Sequence, residues 1–409
     1  MKVKKVVQIC ICIVKMYYFY WMINRNLKDK LLQLAEKYPI VSVTGPRQSG
    51  KTTLIRSVFP DYSYENLEDP ETRLLAQSDP KSFLNQSDRM FIDEIQRLPE
   101  LFSYIQTITD KNNTEGQFII SGSQSFLLNE NISQSLAGRV AVLHLLPFSF
   151  GELKKGNIRI SESIDLLFQG FYPRLYDKAI VPGDFYPNYI QTYIERDVRQ
   201  LKNIQDLNLF IRFMKLCAGR TGQLLNMSSL ANDTGISVNT AKAWISLLEA
   251  SFIIYLLQPH HKNFNKRLVK MPKLYFFDTG LVSSLLEIQS SKQLSTHYLY
   301  GAIFENFIIS ELIKDRFHRG LRSNLYFWRD HKGVEIDCII ERGDKLIALE
   351  IKSAKTYTES FFKNIAYIER VSGSEIEKSV VIYGGDRSIS TNMGELFSWK
   401  EIPDFNKKL

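Results

Sequence analysis

Gly45-Pro46-Arg47-Gln48-Ser49-Gly50-Lys51-Thr52 is a glycine-framed segment that ends in a lysine and a hydroxyl. It satisfies the phosphate-loop pattern at every fixed position. Gly45 and Gly50 let the backbone curl so that its N–H groups face nucleotide phosphates at a helix N-terminus. Lys51 would neutralise the β- and γ-phosphates, and the Thr52 hydroxyl would ligate Mg²⁺. Pro46, Arg47, Gln48, Ser49 and Thr53 complete the expected nucleotide contact. Ile40-Val41-Ser42-Val43 reads as a short buried strand before the loop, and Thr53-Leu54-Ile55 as the helix after it. That strand–loop–helix order is the context the motif requires.

A second group supplies acids. Arg89-Met90-Phe91-Ile92-Asp93-Glu94 reads as an apolar strand ending in adjacent carboxylates. Asp93 would hold the Mg²⁺ through water, and Glu94 would polarise an attacking water. A third strand, Gln117-Phe118-Ile119-Ile120, ends in Ser121-Gly122-Ser123-Gln124. Ser123 there either senses the γ-phosphate between the two motif strands or is plain turn chemistry. Arg139, in Leu136-Ala137-Gly138-Arg139, either reaches a phosphate in cis or from a neighbouring subunit, or is a surface arginine.

The third group lies near the C-terminus. A helix is expected from about Gly301 to Arg316, carrying Glu305 among Phe304, Phe307, Ile308 and Leu312. Three strands follow, at 325–328, 334–340 and 346–351, separated by His331-Lys332-Gly333 and Arg342-Gly343-Asp344, and so form an antiparallel meander. Alternation puts Glu335 and Asp337 on one face, and likewise Glu350 and Lys352. Clustered acids repel unless a cation offsets them, which points to a metal. A helix at 360–370 and a strand at 380–383 close the region.

Leu27, Leu31, Leu32, Leu34 and Ala35 recur at helical spacing before the phosphate loop. Downstream, a helical bridge at 189–205 carries Glu195, Arg196, Asp197 and Arg199, with Glu195 and Arg199 spaced to pair on one face. Between Met227 and Leu257 a Ser-capped short helix from Ser228-Ser229, a turn at Gly235-Ile236-Ser237 and a longer helix from Val238 to Phe252 read as a winged helix-turn-helix. Asn239, Thr240 and Lys242 would face base edges in a DNA reader. Lys242 is the only basic residue of that helix, so packing is an equal reading. Lys262, Lys266, Arg267, Lys270 and Lys273 either meet phosphates or form a solvated rim.

The 409 residues, 44% apolar and 23% charged, suit a globular chain of two or three domains and exclude a disordered one. A net charge of +8 permits contact with nucleic acid without requiring it. Cys10, Cys12, Cys217 and Cys338 are too scattered for a disulfide framework or a zinc site, and fit a reduced, cytoplasmic chain. The apolar run from Val6 to Val14 is interrupted by Gln8 and Lys15 before it reaches spanning length. The expectation is that residues 1–21 are an upstream extension, with Met22 the working start; an N-terminal membrane anchor is the lesser alternative.

From Met22 to about Glu152 the chain resembles the AAA-type ATPase domain of a large prokaryotic group. The matching residues are the loop Gly45–Thr53, Asn66-Leu67-Glu68-Asp69-Pro70, Phe91-Ile92-Asp93-Glu94-Ile95-Gln96, Ser121-Gly122-Ser123, Ala137-Gly138-Arg139 and Leu146-Pro147-Phe148-Ser149-Phe150-Gly151-Glu152. The resemblance extends through Tyr193–Val198, Tyr275–Leu281, Gly301–Glu305, Glu335–Asp337 and Glu350–Lys352, into the domain of unknown function that follows this ATPase. It implies an α/β P-loop core that binds ATP and Mg²⁺. The C-terminal order of helix, three strands, helix and strand resembles the restriction-endonuclease-like, or PD-(D/E)XK, nuclease fold. That second likeness implies Asp337 and Glu350 as metal ligands, Lys352 as catalytic lysine and Glu305 as a supporting acid. The expected organisation is an extension (1–21), an ATPase core (22–155), a helical bridge (156–206), a winged helix-turn-helix (207–280) and a nuclease-like domain (281–409). Two functions fit. One is an Mg²⁺-dependent ATPase acting on a nucleic-acid or protein partner, with or without nuclease chemistry and as a monomer or homo-oligomer. The other is an ATP-dependent switch or scaffold whose nuclease-like domain is idle.

Overall fold

The computed structural model describes residues 23–112, 114–123, 136–193, 206–260, 270–372 and 376–409. The extension, Gln124, the bridge residues Glu195, Arg196, Asp197 and Arg199, and Lys262, Lys266 and Arg267 lie outside the described residues.

Strands β1 (Ile40–Thr44), β2 (Ser63–Asn66), β3 (Met90–Asp93), β4 (Phe118–Gly122) and β5 (Val140–His144) form one parallel sheet in the order β2-β3-β4-β1-β5. A parallel sheet must be covered on both faces, and the side-chain alternation provides for that. Ile40, Ile92 and Ile120 enter one apolar cluster, while Val41, Val43, Phe91 and Ile119 enter another. The two motif strands β1 and β3 flank β4, as expected. Loops from all three leave the same, carboxyl end of the sheet, where ligands of such sheets bind. β2 carries little strand signal, Ser-Tyr-Glu-Asn being polar and half-buried at one edge, while Val-Ala-Val-Leu-His of β5 forms the other edge.

Helices Leu207–Ala218, Met227–Thr234 and Val238–Ala250 precede an antiparallel pair, β6 (Ile254–Leu257) and β7 (Lys273–Phe276). The cap of the Met227–Thr234 helix is Asn226, which accepts from the Ser229 N–H, and not a serine. Asn226 sits where its carboxamide reaches the third N–H, and Ser228 is already inside the first turn. Ala241, Trp244, Ile245 and Leu248 face inward, with Trp244 edge-on to Phe210 and Phe213. Asn239 and Lys242 are exposed.

The helix Tyr300–His318 leads into β8 (Leu325–Arg329), β9 (Glu335–Arg342) and β10 (Lys345–Lys352), an antiparallel meander as expected. The helix Lys363–Ser372 then returns the chain to β11 (Ile376–Tyr383), parallel to β10. Strands β12 (Ile389–Thr391) and β13 (Gly394–Ser398) extend the sheet to six, in the order β12-β13-β11-β10-β9-β8. The Tyr300–His318 helix is buried along most of its length, with Asn306, Ser310, Glu311 and Lys314 among the buried residues, because protein surrounds it. One apolar core runs from Leu146 to Phe405 and crosses the expected boundaries at 155/156, 206/207 and 280/281. Among the described residues no helix is long and apolar enough to cross a membrane. Cys217 and Cys338 are free and buried, and burial pushes both thiols up.

Candidate functional site

The phosphate loop leaves β1 and enters the helix Lys51–Val58. Gln48 (φ 60°) and Gly50 (φ 92°) are left-handed and Gly45 has φ 151°, the alternation that turns successive N–H groups inward. A Cβ built at Gly45 would collide with the Leu145 carbonyl oxygen, so that position accepts only glycine. Gly50 caps the helix without a side-chain hydrogen bond, leaving the first-turn N–H groups for another acceptor. The buried Ser49 Oγ has no hydrogen-bond partner. Lys51 is buried, and its Nζ donates to the Gly45 and Pro46 carbonyls at 2.9 Å each, which arcs it back over the loop. This donor set fits a polyphosphate.

The acids stand beside it. Thr52 Oγ1 donates to Asp93 Oδ2 at 2.6 Å, and the Ser121 hydroxyl donates to Asp93 Oδ1. A hydroxyl and a carboxylate brought together at the loop form the donor pair that Mg²⁺ prefers. Tyr64 also reaches Asp93 Oδ2 (3.4 Å); burial first, and then the Asp93 charge, push its hydroxyl up to about 12. Glu94 has φ 55°, left-handed for a residue with a Cβ. Its carboxylate accepts from Gln96 Nε2 and from Ser123 Oγ, the latter at 3.1 Å. Arg47 and Arg97 lie 3.8 and 3.9 Å from Glu68, joining the loop to the Asn66–Pro70 segment.

Arg139 corrects one expectation. It directly precedes Val140, which pairs with Ile40 at the start of β1. The phosphate loop follows Thr44, at the far end of that five-residue strand, roughly 15 Å away at the usual rise. Arg139 instead pairs with Asp110 and donates to the Ala137 carbonyl. It does not reach the loop of its own chain.

At the C-terminal region the structure brings Glu305, Glu335, Asp337, Glu350 and Lys352 together, and adds Lys273. Expected at a solvated or phosphate-facing rim, Lys273 is 2% exposed. Its Nζ lies 2.9 Å from Glu305 Oε1 and 2.6 Å from Glu335 Oε1. Burial disfavours its charge, but Glu305 and the other acids hold it well above the ordinary lysine value. Tyr275 also donates to Glu305, and Arg329 lies 2.9 Å from Glu335. Lys352 pairs with Glu350 and is 3.6 Å from Asp337 Oδ2, while Ile351 N–H donates to that same Asp337 oxygen at 2.8 Å. Burial, then Asp337, push the Glu350 carboxyl up to about 8.

The expectation that these acids need a metal therefore meets a correction. The offsetting cations are lysine and arginine side chains, and among the described residues no group of three or more His, Cys, Asp and Glu could hold a metal ion. Glu305, Asp337 and Glu350 do not fit an Mg²⁺ site as arranged.

Sequence reasoning also missed Arg25, which is buried beside the loop. It donates to the Ser49 carbonyl (2.6 Å), the Leu146 carbonyl (2.6 Å) and Glu152 (3.1 Å). Burial alone would raise the Glu152 carboxyl; Arg25, His318 and the N–H groups of Ser149 and Asn26 pull it down to about 2. The only signal was Glu152 in the Ser-Phe-Gly-Glu capping box, whose second purpose is invisible locally.

Against known proteins, residues 37–154 match the AAA domain family, and residues 161–292 and 300–402 match two domains of unknown function (DUF8612 and DUF4143). An uncharacterized protein of Mycobacterium tuberculosis is 30% identical over 372 residues, covering 89% of this chain and 80% of that protein. One of Methanocaldococcus jannaschii is 23% identical over 351 residues, covering 78% and 75%. The solved Walker-type ATPase of Pyrococcus abyssi superposes with TM-score 0.43 at 13% identity, covering 64% of this chain and 96% of that one. The chain belongs to the family of P-loop ATPases in which an AAA domain is followed by a C-terminal domain of unknown function.

Proposed function

We propose that this protein is an Mg²⁺-dependent ATPase whose nucleotide cycle changes its shape toward a DNA or protein partner. The reading is carried by the convergence of Lys51, Thr52, Asp93 and Glu94 at the carboxyl end of one parallel sheet. Lys51 and the N–H groups of Gly45 and residues 47–53 would hold ATP, with Thr52 and Asp93 holding its Mg²⁺. The metal, when bound, supplies charge neutralisation and Lewis acidity. Glu94 would orient and deprotonate water, and Gln96 and Ser123 keep its carboxylate in place. Arg139 enters this chemistry only from a second copy of the chain. The working units are an ATPase core (22–155), a helical bridge (156–206), a winged helix-turn-helix (207–280) and a nuclease-like domain (281–409), in a cytoplasmic protein.

The pairing of Lys273 and Lys352 with the C-terminal acids favours a nuclease-like domain that is catalytically idle. In calorimetry, wild type gives heat with ATP and Mg²⁺ and Lys51→Ala gives none. Absence of heat from the wild type would end this reading. Glu94→Gln keeps the binding heat and slows phosphate release about a hundredfold or more. Phosphate release with and without DNA separates the partner classes. Metal-dependent DNA cleavage that Lys352→Ala abolishes would overturn the idle domain.

A further inference from the structure

The geometry points to Arg25 and Glu152 as a positioning pair that shapes the phosphate loop and couples nucleotide binding to the helix Tyr300–His318. This rests on the nucleotide reading above. The guanidinium of Arg25 spends its nitrogens on three separate segments: the Ser49 carbonyl, the Leu146 carbonyl and Glu152. Because a trans peptide is planar, holding the Ser49 oxygen on one side turns the Gly50 N–H to the other. Gly50 is the residue directly before Lys51, so Arg25 orients a phosphate donor without itself facing phosphate.

Glu152 is fully buried and anchors the other end. Besides Arg25 it accepts from the Asn26 N–H at 2.7 Å and the Ser149 N–H at 2.8 Å. Three residues on one face of the Tyr300–His318 helix lie against the same segment, two of them hydrogen-bonded to it. Glu311 accepts from the Phe150 N–H at 2.8 Å, Lys314 donates to the Phe148 carbonyl at 2.9 Å, and His318 lies 3.8 Å from Glu152. At its opposite end this helix holds β7: Glu305 takes Lys273 and Tyr275, and Asn306 pairs with both the N–H and the carbonyl of Phe276. The hydrogen-bonded links are directional and lie in buried or partly buried surroundings, so displacing one end leaves polar groups unsatisfied unless the next link moves too. The helix therefore connects the phosphate loop to the carboxylate–lysine cluster. Coupling of this kind acts in both directions.

The test uses the full chain, a fluorescent ATP analogue and Mg²⁺. Arg25→Lys keeps the charge but loses the planar fork that spans three acceptors. Glu311→Gln lies away from the loop and keeps an acceptor for the Phe150 N–H. Each should weaken binding, by about five- to a hundredfold, and the double variant should lose less than the product of the two. In turnover both should raise KM for ATP more than they lower kcat. Hydrogen exchange on the wild type provides a readout independent of any variant's folding: amides of Tyr300–His318 should slow when nucleotide binds. Equal Kd in all variants, with helix exchange unchanged by bound nucleotide, would overturn the coupling. No binding by the wild type would instead overturn the nucleotide reading.

Discussion

Acidification should unlock the junction between the AAA domain and the C-terminal helix at His318. Its ring is buried beside Glu152, Arg25, Lys314 and Lys155, and burial, helped by the three cations and opposed by Glu152, lowers its pKa from 6.5 to about 4. Below pH 6.5 the unfolded chain takes up a proton that the folded chain refuses until about pH 4. Folding stability is therefore complete above that window and falls as pH drops through it. At about 1.4 kcal/mol per pH unit, the whole window is worth about 3 kcal/mol, of which about 2 kcal/mol is lost between about pH 7 and about pH 4.5. That is a large share of a stability of about 5–15 kcal/mol. Burial also lowers His144 to about 4, with the same sign, so the informative quantity is the difference between wild type and His318→Gln. Urea unfolding of the two at both pH values should show a loss smaller by about 2 kcal/mol in the variant. With six histidines in the chain, the imidazole C2–H resonances can be assigned by substitution. A His318 resonance titrating near the ordinary value, or parallel losses in the two proteins, would refute the reasoning.

Two further substitutions follow from the packing. Gly45→Ala places a methyl against the Leu145 carbonyl at a left-handed φ; it should destabilise the chain by about 1–3 kcal/mol and abolish nucleotide binding, as read by thermal melts with and without ATP. Lys273→Met leaves Glu305, whose side chain is 16% exposed, without its cation and should lower unfolding free energy by about 3 kcal/mol. Lys273→Met combined with Glu305→Gln should recover much of that loss in urea titrations, and an unchanged deficit would count against the pairing.

The phosphate loop and the Asp93-Glu94 strand were legible because both are local: a few consecutive residues carry the turn geometry, the charge and the flanking apolar strand. The β8–β10 meander was legible for the same reason, its turns marked by Gly333 and Gly343. Arg25 was not, because its partner Glu152 lies 127 positions away and neither residue sits in a pattern that announces the other. Lys273 reads in sequence as one of several nearby basic residues, since spacing alone does not show that Glu305 and Glu335 surround it. Arg139 failed for a topological reason. Its motif follows the third strand in sequence, but β5 runs parallel to β1 and puts the arginine at the opposite end of the sheet.

The apolar interior that continues from Leu146 to Phe405 limits how this molecule can be dissected. A fragment cut at 280/281 would carry raw hydrophobic faces on both halves, and Asn306 would lose its bonds to Phe276. Such pieces would aggregate and report on damage instead of on separate activities. A cut just after Leu145 would leave the parallel sheet whole but strip Glu152 from Arg25. Engineering here has to proceed by point changes within the intact polypeptide.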